Sequence, residues 1–167
     1  MSIRPVHNDD FDAIAAITNH YIATSAIHFG YEPVTADELR NGWRNHPRHP
    51  YLVDDRDGVV AYAKAAPWRE RAAYAWTAEV GIYVADAVRG RGIGAALYVA
   101  LLDAVTAAGF RSAVAGITMP NDASVALHAR LGFEPVGTFR DAGWKNGAWH
   151  AVAFFQKMLS TSQEPPR

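Results

Sequence analysis

Apolar residues recur at helical spacing near the start of the chain. Between about Asp9 and Thr24, Phe11, Ile14, Ala15, Ile17, Tyr21 and Ile22 fall on one face of a helix. Ahead of them "SIRPV" reads as a short strand. Thr35 followed three residues later by Glu38 is a capping-box pattern and predicts a second helix running toward Trp43. Two apolar runs then read as strands, near Tyr51–Asp54 and Val59–Ala66, with "DDRDG" as the turn between them. A longer strand is expected from about Tyr74 to Val84.

The second half repeats both patterns. From about Gly92 to Ala108 a helical stripe of Ile93, Leu97, Ala100, Leu101, Ala104, Val105 and Ala108 is followed by Gly109, a natural C′ residue. "SAVAGI" reads as a buried strand, and Asn121 as the cap of a helix that ends at Gly132. Two last strands are expected near Phe133–Phe139 and Trp149–Leu159, joined through "DAGWKNG". Strands that follow one another directly, mixed with helical crossovers, give an α/β (α+β) fold with a mixed sheet rather than a doubly wound parallel one.

Composition narrows this further. The chain has 167 residues, 50% of them hydrophobic, enough for one domain over about residues 1–160 with an irregular tail at 161–167. A net charge of -1 gives no reason to expect nucleic acid as a partner, and the absence of cysteine removes disulfide and thiol chemistry. The N-terminus carries acids where a secretory leader is basic and then apolar, and no apolar run approaches the ~20 residues of a membrane span. A cytoplasmic protein is expected.

The candidate chemistry begins at "VRGRGIGAALYVALL". Gly90, Gly92 and Gly94 alternate with Arg91 and Ile93 where a loop becomes a helix. Glycine is costly inside a helix but lets bare N–H groups approach an anion at its N-terminus. The match of Gly90-x-Gly92-x-x-Ala95 to a dinucleotide fingerprint is weak, because no carboxylate lies about 20 residues on. A plain tight turn does not need three glycines and two arginines.

Arg89-x-x-Gly92-x-Gly94, after a strand and opening a helix, resembles the pyrophosphate loop of the GCN5-related N-acetyltransferases (GNAT). "APWRERAAYAWTAEVGIYV", "NDASVALHARLGF", "AGWKNGAWH" and "NHYIATSAIHF" resemble the phosphinothricin and methionine-sulfone acetyltransferase branch. The resemblance covers about Ser2 to Met158. It implies a central sheet of about seven strands flanked by about four helices, acetyl-CoA as cosubstrate, and a homodimer. It implies cofactor contacts from Ile82, Tyr83 and Val84 on the strand, and from Arg89, Gly90, Arg91, Gly92, Ile93, Gly94 and Ala95 in the loop. Asn121 and Ser124 resemble residues that hold the pantetheine arm, and Asn121 serves equally as a helix cap.

Side chains alternate across a strand. Ala78, Val80, Ile82 and Val84 therefore form a core face, while Glu79, Gly81 and Tyr83 share the other. Acyl transfer to an amine needs a base for the ammonium proton, a donor for the oxyanion and a proton for the leaving thiolate. Glu79 suits the first. In this branch a histidine at the place of His128 is implicated in proton transfer, so Glu79, His128 and Tyr83 are the catalytic candidates, with acid and base roles for His128 left open. Taken alone, without the resemblance, His128 reads first as a core histidine bonded to a carbonyl.

Arg69 and Arg71 in "WRER" are expected to clamp an acidic group of the acceptor, with Phe29 and Tyr83 as apolar wall; Lys145 in "GWKNG" is a weaker substrate-binding candidate, in a late loop that in the dimer implied by the resemblance reaches the partner's site. Gly81 stands where relatives often carry a hydroxyl, and Ala151 where they often carry aspartate. His46 and His49 lack the companions of a metal set, and no metal is expected. The expected reaction is acetyl transfer to the amine of a small amino-acid-like acceptor. A polyamine, aminoglycoside or protein N-terminus as acceptor, or a non-catalytic acyl-CoA sensor, are the competing readings.

Overall fold

A computed structural model describes residues 2–162 and 164. The expected C-terminal tail falls largely outside the described residues. The elements follow the expected order: β1 (Ile3–Pro5), α1 (Phe11–Thr24), α2 (Ala36–Arg44), β2 (Tyr51–Asp55), β3 (Val59–Pro67), β4 (Thr77–Val84), α3 (Ile93–Ala107), β5 (Ser112–Thr118), α4 (Asp122–Arg130), β6 (Glu134–Lys145) and β7 (Ala148–Met158). The seven strands form one sheet in the order β1-β2-β3-β4-β5-β7-β6. Only the central β4–β5 pair is parallel.

Both faces of the sheet are covered. On one, Ala61, Ala63 and Ala65 of β3 and Ala78 and Val80 of β4 pack against Leu97, Tyr98, Leu101 and Val105 of α3. Alanines on the strands let the bulky helix stripe settle close to the sheet, and burial of that apolar area drives the packing. On the other face, Tyr51, Val53 and Tyr62 meet Phe11, Ile14, Ile17 and Tyr21 of α1, with Leu39 and Trp43 of α2 at the edge. The Thr35–Glu38 capping box forms as the spacing predicts, with Glu38 accepting from the Thr35 N–H and hydroxyl.

Two expectations shift. β4 begins at Thr77, because a short 3₁₀ turn over Ala72–Tyr74 precedes it. "DAGWKNG" is not a loop. β6 runs through it to Lys145 with an irregularity between Phe139 and Gly143, and the reversal is made by Asn146 and Gly147, both at positive φ. Those two residue types tolerate the left-handed region that a tight hairpin turn demands.

Candidate active site

The site begins with a parting of strands. β4 and β5 pair only at Thr77–Ser112, Ala78–Ala113 and Glu79–Val114. Beyond Glu79 they diverge. Val80–Tyr83 and Ala115–Thr118 line the resulting slot, of about 70 Å³, and Asn121, Ser124 and His128 of α4 close its far end. The β4 edge beyond Glu79 has no strand beside it among the described residues, so its main-chain groups are available to an extended ligand lying in the slot.

At the open end of the slot stands the N-terminus of α3. Gly92 is the N-cap residue at φ 76°, a conformation costly for any other residue, and no side chain caps the helix. Ala96 makes the first intrahelical bond, to Gly92 O at 3.2 Å, which leaves the N–H groups of Ile93, Gly94 and Ala95 without an intrahelical acceptor. Gly90 also holds positive φ. Ile93 is buried and anchors the turn. Arg89 braces it: its guanidinium donates to the Tyr21 hydroxyl and pairs with Asp86 at 2.9 Å, while Tyr21 donates to Val84 O. Arg91 is exposed and has no partner among the described residues. An uncapped helix end with glycines and an unengaged arginine fits a polyphosphate. The Asn121 side chain accepts from Ser124 N–H, so it caps α4 while lining the slot.

The face of β4 toward α1 and α2 carries Glu79, Gly81 and Tyr83, as the alternation predicts. Strand register sets their neighbours: Tyr62 lies beside Tyr83, and Lys64 beside Gly81. Tyr83 stacks on Tyr62 with ring centroids 5.1 Å apart and meets Tyr21 edge-on at 5.2 Å. Burial, then Tyr21 and Glu79, push the Tyr83 phenol up to about 12, so it stays a proton donor at neutral pH. The Glu79 side chain reaches solvent on the face it shares with Tyr83. Desolvation raises its carboxyl above the usual carboxylate range, and Lys64 and then Arg69 pull it back.

Two residues of this face were not among the sequence candidates. Lys64 is an isolated charge in the apolar run "VVAYAKAAP", and that isolation was the signal. Burial lowers its pKa, with Glu79 opposing. His28 adjoins Phe29. Its ring lies 6.1 Å from Tyr83, and its Nδ1 accepts from Gly30 N–H, which leaves Nε2 to carry the proton of the neutral ring.

Of the two residues expected to form an aromatic wall, Tyr83 has the neighbouring His28 ring beside it. Phe29 packs against Gly143 of β6 and lies 6.3 Å from the His150 ring, while His28 takes the place beside Tyr83. Lys145, expected to reach the acceptor, is engaged within the fold. It is 3% exposed, and its ammonium donates to Ile22 O at 2.7 Å and to His28 O. It is a strut between the β6–β7 hairpin and the segment after α1, rather than an unengaged cation. Arg69 and Arg71 remain exposed on the loop between β3 and β4 and line a cavity of about 580 Å³ with His46, His49 and Thr77. Of the two, Arg69 is the one whose charge reaches Glu79.

His128 is 3% exposed. Its Nδ1 lies 2.7 Å from Ser124 O, an acceptor, so Nδ1 carries hydrogen and Nε2 accepts from the Tyr98 hydroxyl at 3.0 Å. Burial lowers its pKa, and the bond to Ser124 opposes this. The ring is neutral, with both nitrogens engaged.

The chain matches the family model described as an acetyltransferase (GNAT) domain over residues 3–152. It is 44% identical over 169 residues to a phosphinothricin N-acetyltransferase of Streptomyces viridochromogenes, covering 100% of this chain and 92% of that protein. Identity is 34% to an L-methionine sulfoximine/L-methionine sulfone acetyltransferase of Pseudomonas paraeruginosa, covering 99% and 98%. A crystal structure of a GNAT superfamily phosphinothricin acetyltransferase from Sinorhizobium meliloti, in complex with AcCoA, superposes with a TM-score of 0.92 at 34% identity, covering 99% of this chain and 94% of that one.

Proposed function

Because the chain belongs to the GNAT acetyltransferase family, we propose a division of labour among its residues for the reaction it catalyses. That reaction is transfer of acetyl from acetyl-CoA to the amino group of a small amino-acid-like acceptor, of the phosphinothricin, methionine sulfone or methionine sulfoximine type. The observation that carries the reading is the position of Glu79. It is the last β4 residue paired to β5, so a carboxylate with a raised pKa stands where the slot opens.

In this proposal the α3 N-terminus from Gly92 to Ala95, with Arg91, holds the pyrophosphate, and Arg89 braces the loop. Ile82, Tyr83 and Val84 offer main-chain groups to the pantetheine arm, and Asn121 and Ser124 bond it from the other wall. The thioester supplies the acyl group. Glu79 takes the ammonium proton, directly or through water. A carboxyl whose pKa is raised toward neutrality is a better match for an amine than an ordinary one. A β4 N–H near Ile82 or Tyr83 meets the charge that grows on the acyl oxygen. Tyr83, held protonated, is the donor to the departing sulfur. His128, with both nitrogens engaged, positions α4 against the slot and reaches the proton traffic only through the hydroxyl of Tyr98 or Ser124. Arg69 takes the acceptor carboxylate, with Arg71 behind it, and Gly81 leaves room above the floor.

We further propose that the enzyme works in the cytoplasm, where acetyl-CoA is made, and as a homodimer. The dimer is supported by the exposed apolar residues Val136, Phe139, Trp144 and Trp149 along the β6–β7 hairpin. Among the described residues no helix is long and apolar enough to cross a membrane. The test of function is CoA release across phosphinothricin, methionine sulfone, methionine sulfoximine, putrescine and an aminoglycoside. The amino-acid analogues should lead. If putrescine or the aminoglycoside outperforms all three, the acceptor assignment is wrong.

A further inference from the structure

The chain has three lysines. Lys145 and Lys157 each donate to main-chain carbonyls. Lys64 has no hydrogen bond or ion pair among the described residues, although its environment is desolvated enough to lower its pKa. An ammonium in such a place is costly unless something pairs with it. The register shows where it points. Lys64 lies between Tyr51 on β2 and Gly81 on β4, on the face shared with Glu79. Gly81 has no side chain to separate it from the acceptor floor. Its charge reaches Glu79 on one side and His28 on the other.

Behind Lys64 is a cavity of about 160 Å³ between α2 and the β2–β3 pair. Two of its lining residues hold a buried polar atom with no hydrogen-bond partner among the described residues: Tyr51 at its hydroxyl and His49 at Nδ1. Glu38 also lines it, but its carboxylate is engaged by the Thr35 cap. The Lys64 ammonium and the Tyr51 phenol are both donors without an acceptor among the described residues, the complement of an anion. The volume suits the end of a side chain. On the other flank of Glu79, Arg69 is a second cation.

We propose that Lys64, backed by the Tyr51 hydroxyl, is a specificity subsite for the acidic end of the acceptor side chain, so that the enzyme selects amino acids carrying a second anion. The proposal rests on the N-acetyltransferase reading above. The amine then sits at Glu79, the α-carboxylate at Arg69 and the side-chain acid at Lys64.

Phosphinothricin and methionine sulfone test this cleanly. Each carries a methyl-bearing tetrahedral head on a two-carbon chain, and they differ by one negative charge. The wild-type enzyme should favour phosphinothricin in kcat/KM by about tenfold or more, the scale of one charge pair in a partly desolvated site. Lys64→Met should bring that ratio close to one by raising the phosphinothricin KM alone, and Lys64→Arg should keep most of it. Losing Lys64 also removes a cation that holds the Glu79 pKa down. The acid limb of the pH profile therefore moves to higher pH for both acceptors alike, and the ratio is insulated from that effect. Tyr51→Phe breaks no bond in the structure and keeps the test alive if Lys64→Met folds poorly. It should lower the ratio about threefold. A wild-type preference for the sulfone, or a ratio untouched by Lys64→Met and Tyr51→Phe, overturns the subsite and leaves the acetyltransferase reading standing. Failure of both analogues to release CoA overturns both.

Discussion

Along the edge where β4 parts from β5, the site is made of main chain. It consists of strand N–H and C=O groups from Val80 to Tyr83, the uncapped start of α3, and glycines at positive φ. On the face of the same strand toward α1 and α2, it is made of side chains from separate segments: Glu79 and Tyr83 on β4, Lys64 on β3, His28 after α1, and Arg69 on a loop. In the proposed division of labour the main chain holds the cosubstrate, and the side chains of the face handle the acceptor and its protons. The helix ends make the same contrast. α2 and α4 carry side-chain caps at Thr35 and Asn121; α1 and α3 have none, and of these two it is α3 that starts on a left-handed glycine beside the slot.

Glu79 sits where edge and face meet, so it gives the sharpest test. Glu79→Gln keeps shape and removes the base. Turnover should fall about 10²-fold or more, the usual scale of lost general-base help. Acetyl-CoA affinity measured by calorimetry should hold. Because the carboxyl pKa is raised, wild-type activity should fall as pH drops through that raised value, where the base becomes protonated. The variant should lack that limb. Near-normal turnover in Glu79→Gln would place the base elsewhere and dissolve the division between edge and face.

The edge is tested through its backbone. At Gly92, φ is 76° and a Cβ would meet nothing within 4 Å, so the protein itself does not exclude a side chain. Gly92→Val instead forces a branched residue into the left-handed region, at about 1–2 kcal/mol, and fills the space in front of the bare N–H groups. Acetyl-CoA Kd should rise about tenfold, with the acceptor KM unchanged. Gly147, at φ 75° in the β6–β7 turn and likewise with nothing within 4 Å of a Cβ, is the control: Gly147→Val carries backbone strain of the same kind and should leave Kd alone. Equal losses of affinity in both variants would mean that strain, and not access to the helix end, is being measured.

The contrast also explains which parts of the site were readable from sequence. Glycine spacing, a cap at Asn121 and the alternation from Ala78 to Val84 are local signals, and strand and helix periods convert them directly into position. The acceptor face has no such period. Phe29 and His28 differ by one residue, and only the path of the segment after α1 decides which of them faces Tyr83. Lys64 becomes visible once β3 is registered against Gly81. His128 shows the limit from the other side: its spacing placed it correctly in α4, but whether its nitrogens are engaged depends on Tyr98, thirty residues away on another helix.

Lys145 carries the smallest expected effect and the clearest distinction between the two kinds of cation on the acceptor side. Had it been a ligand for an acidic acceptor, its loss would raise the acceptor KM tenfold or more and leave stability alone. As a strut it behaves differently. Lys145→Met preserves the stem length but orphans the carbonyls of Ile22 and His28 in a buried place. Each unsatisfied carbonyl costs about 1–3 kcal/mol, offset in part because the desolvated ammonium is gone as well. The net loss should be about 1–3 kcal/mol, which lowers Tm by several degrees in a chain of this length. Below that transition the acceptor KM should change by no more than about threefold, through looser placement of His28, and acetyl-CoA Kd should not move. Thermal unfolding and steady-state kinetics on one preparation decide it. A stable variant with a tenfold higher acceptor KM would return Lys145 to the acceptor site, and the hairpin that carries it would then have to move when the acceptor binds.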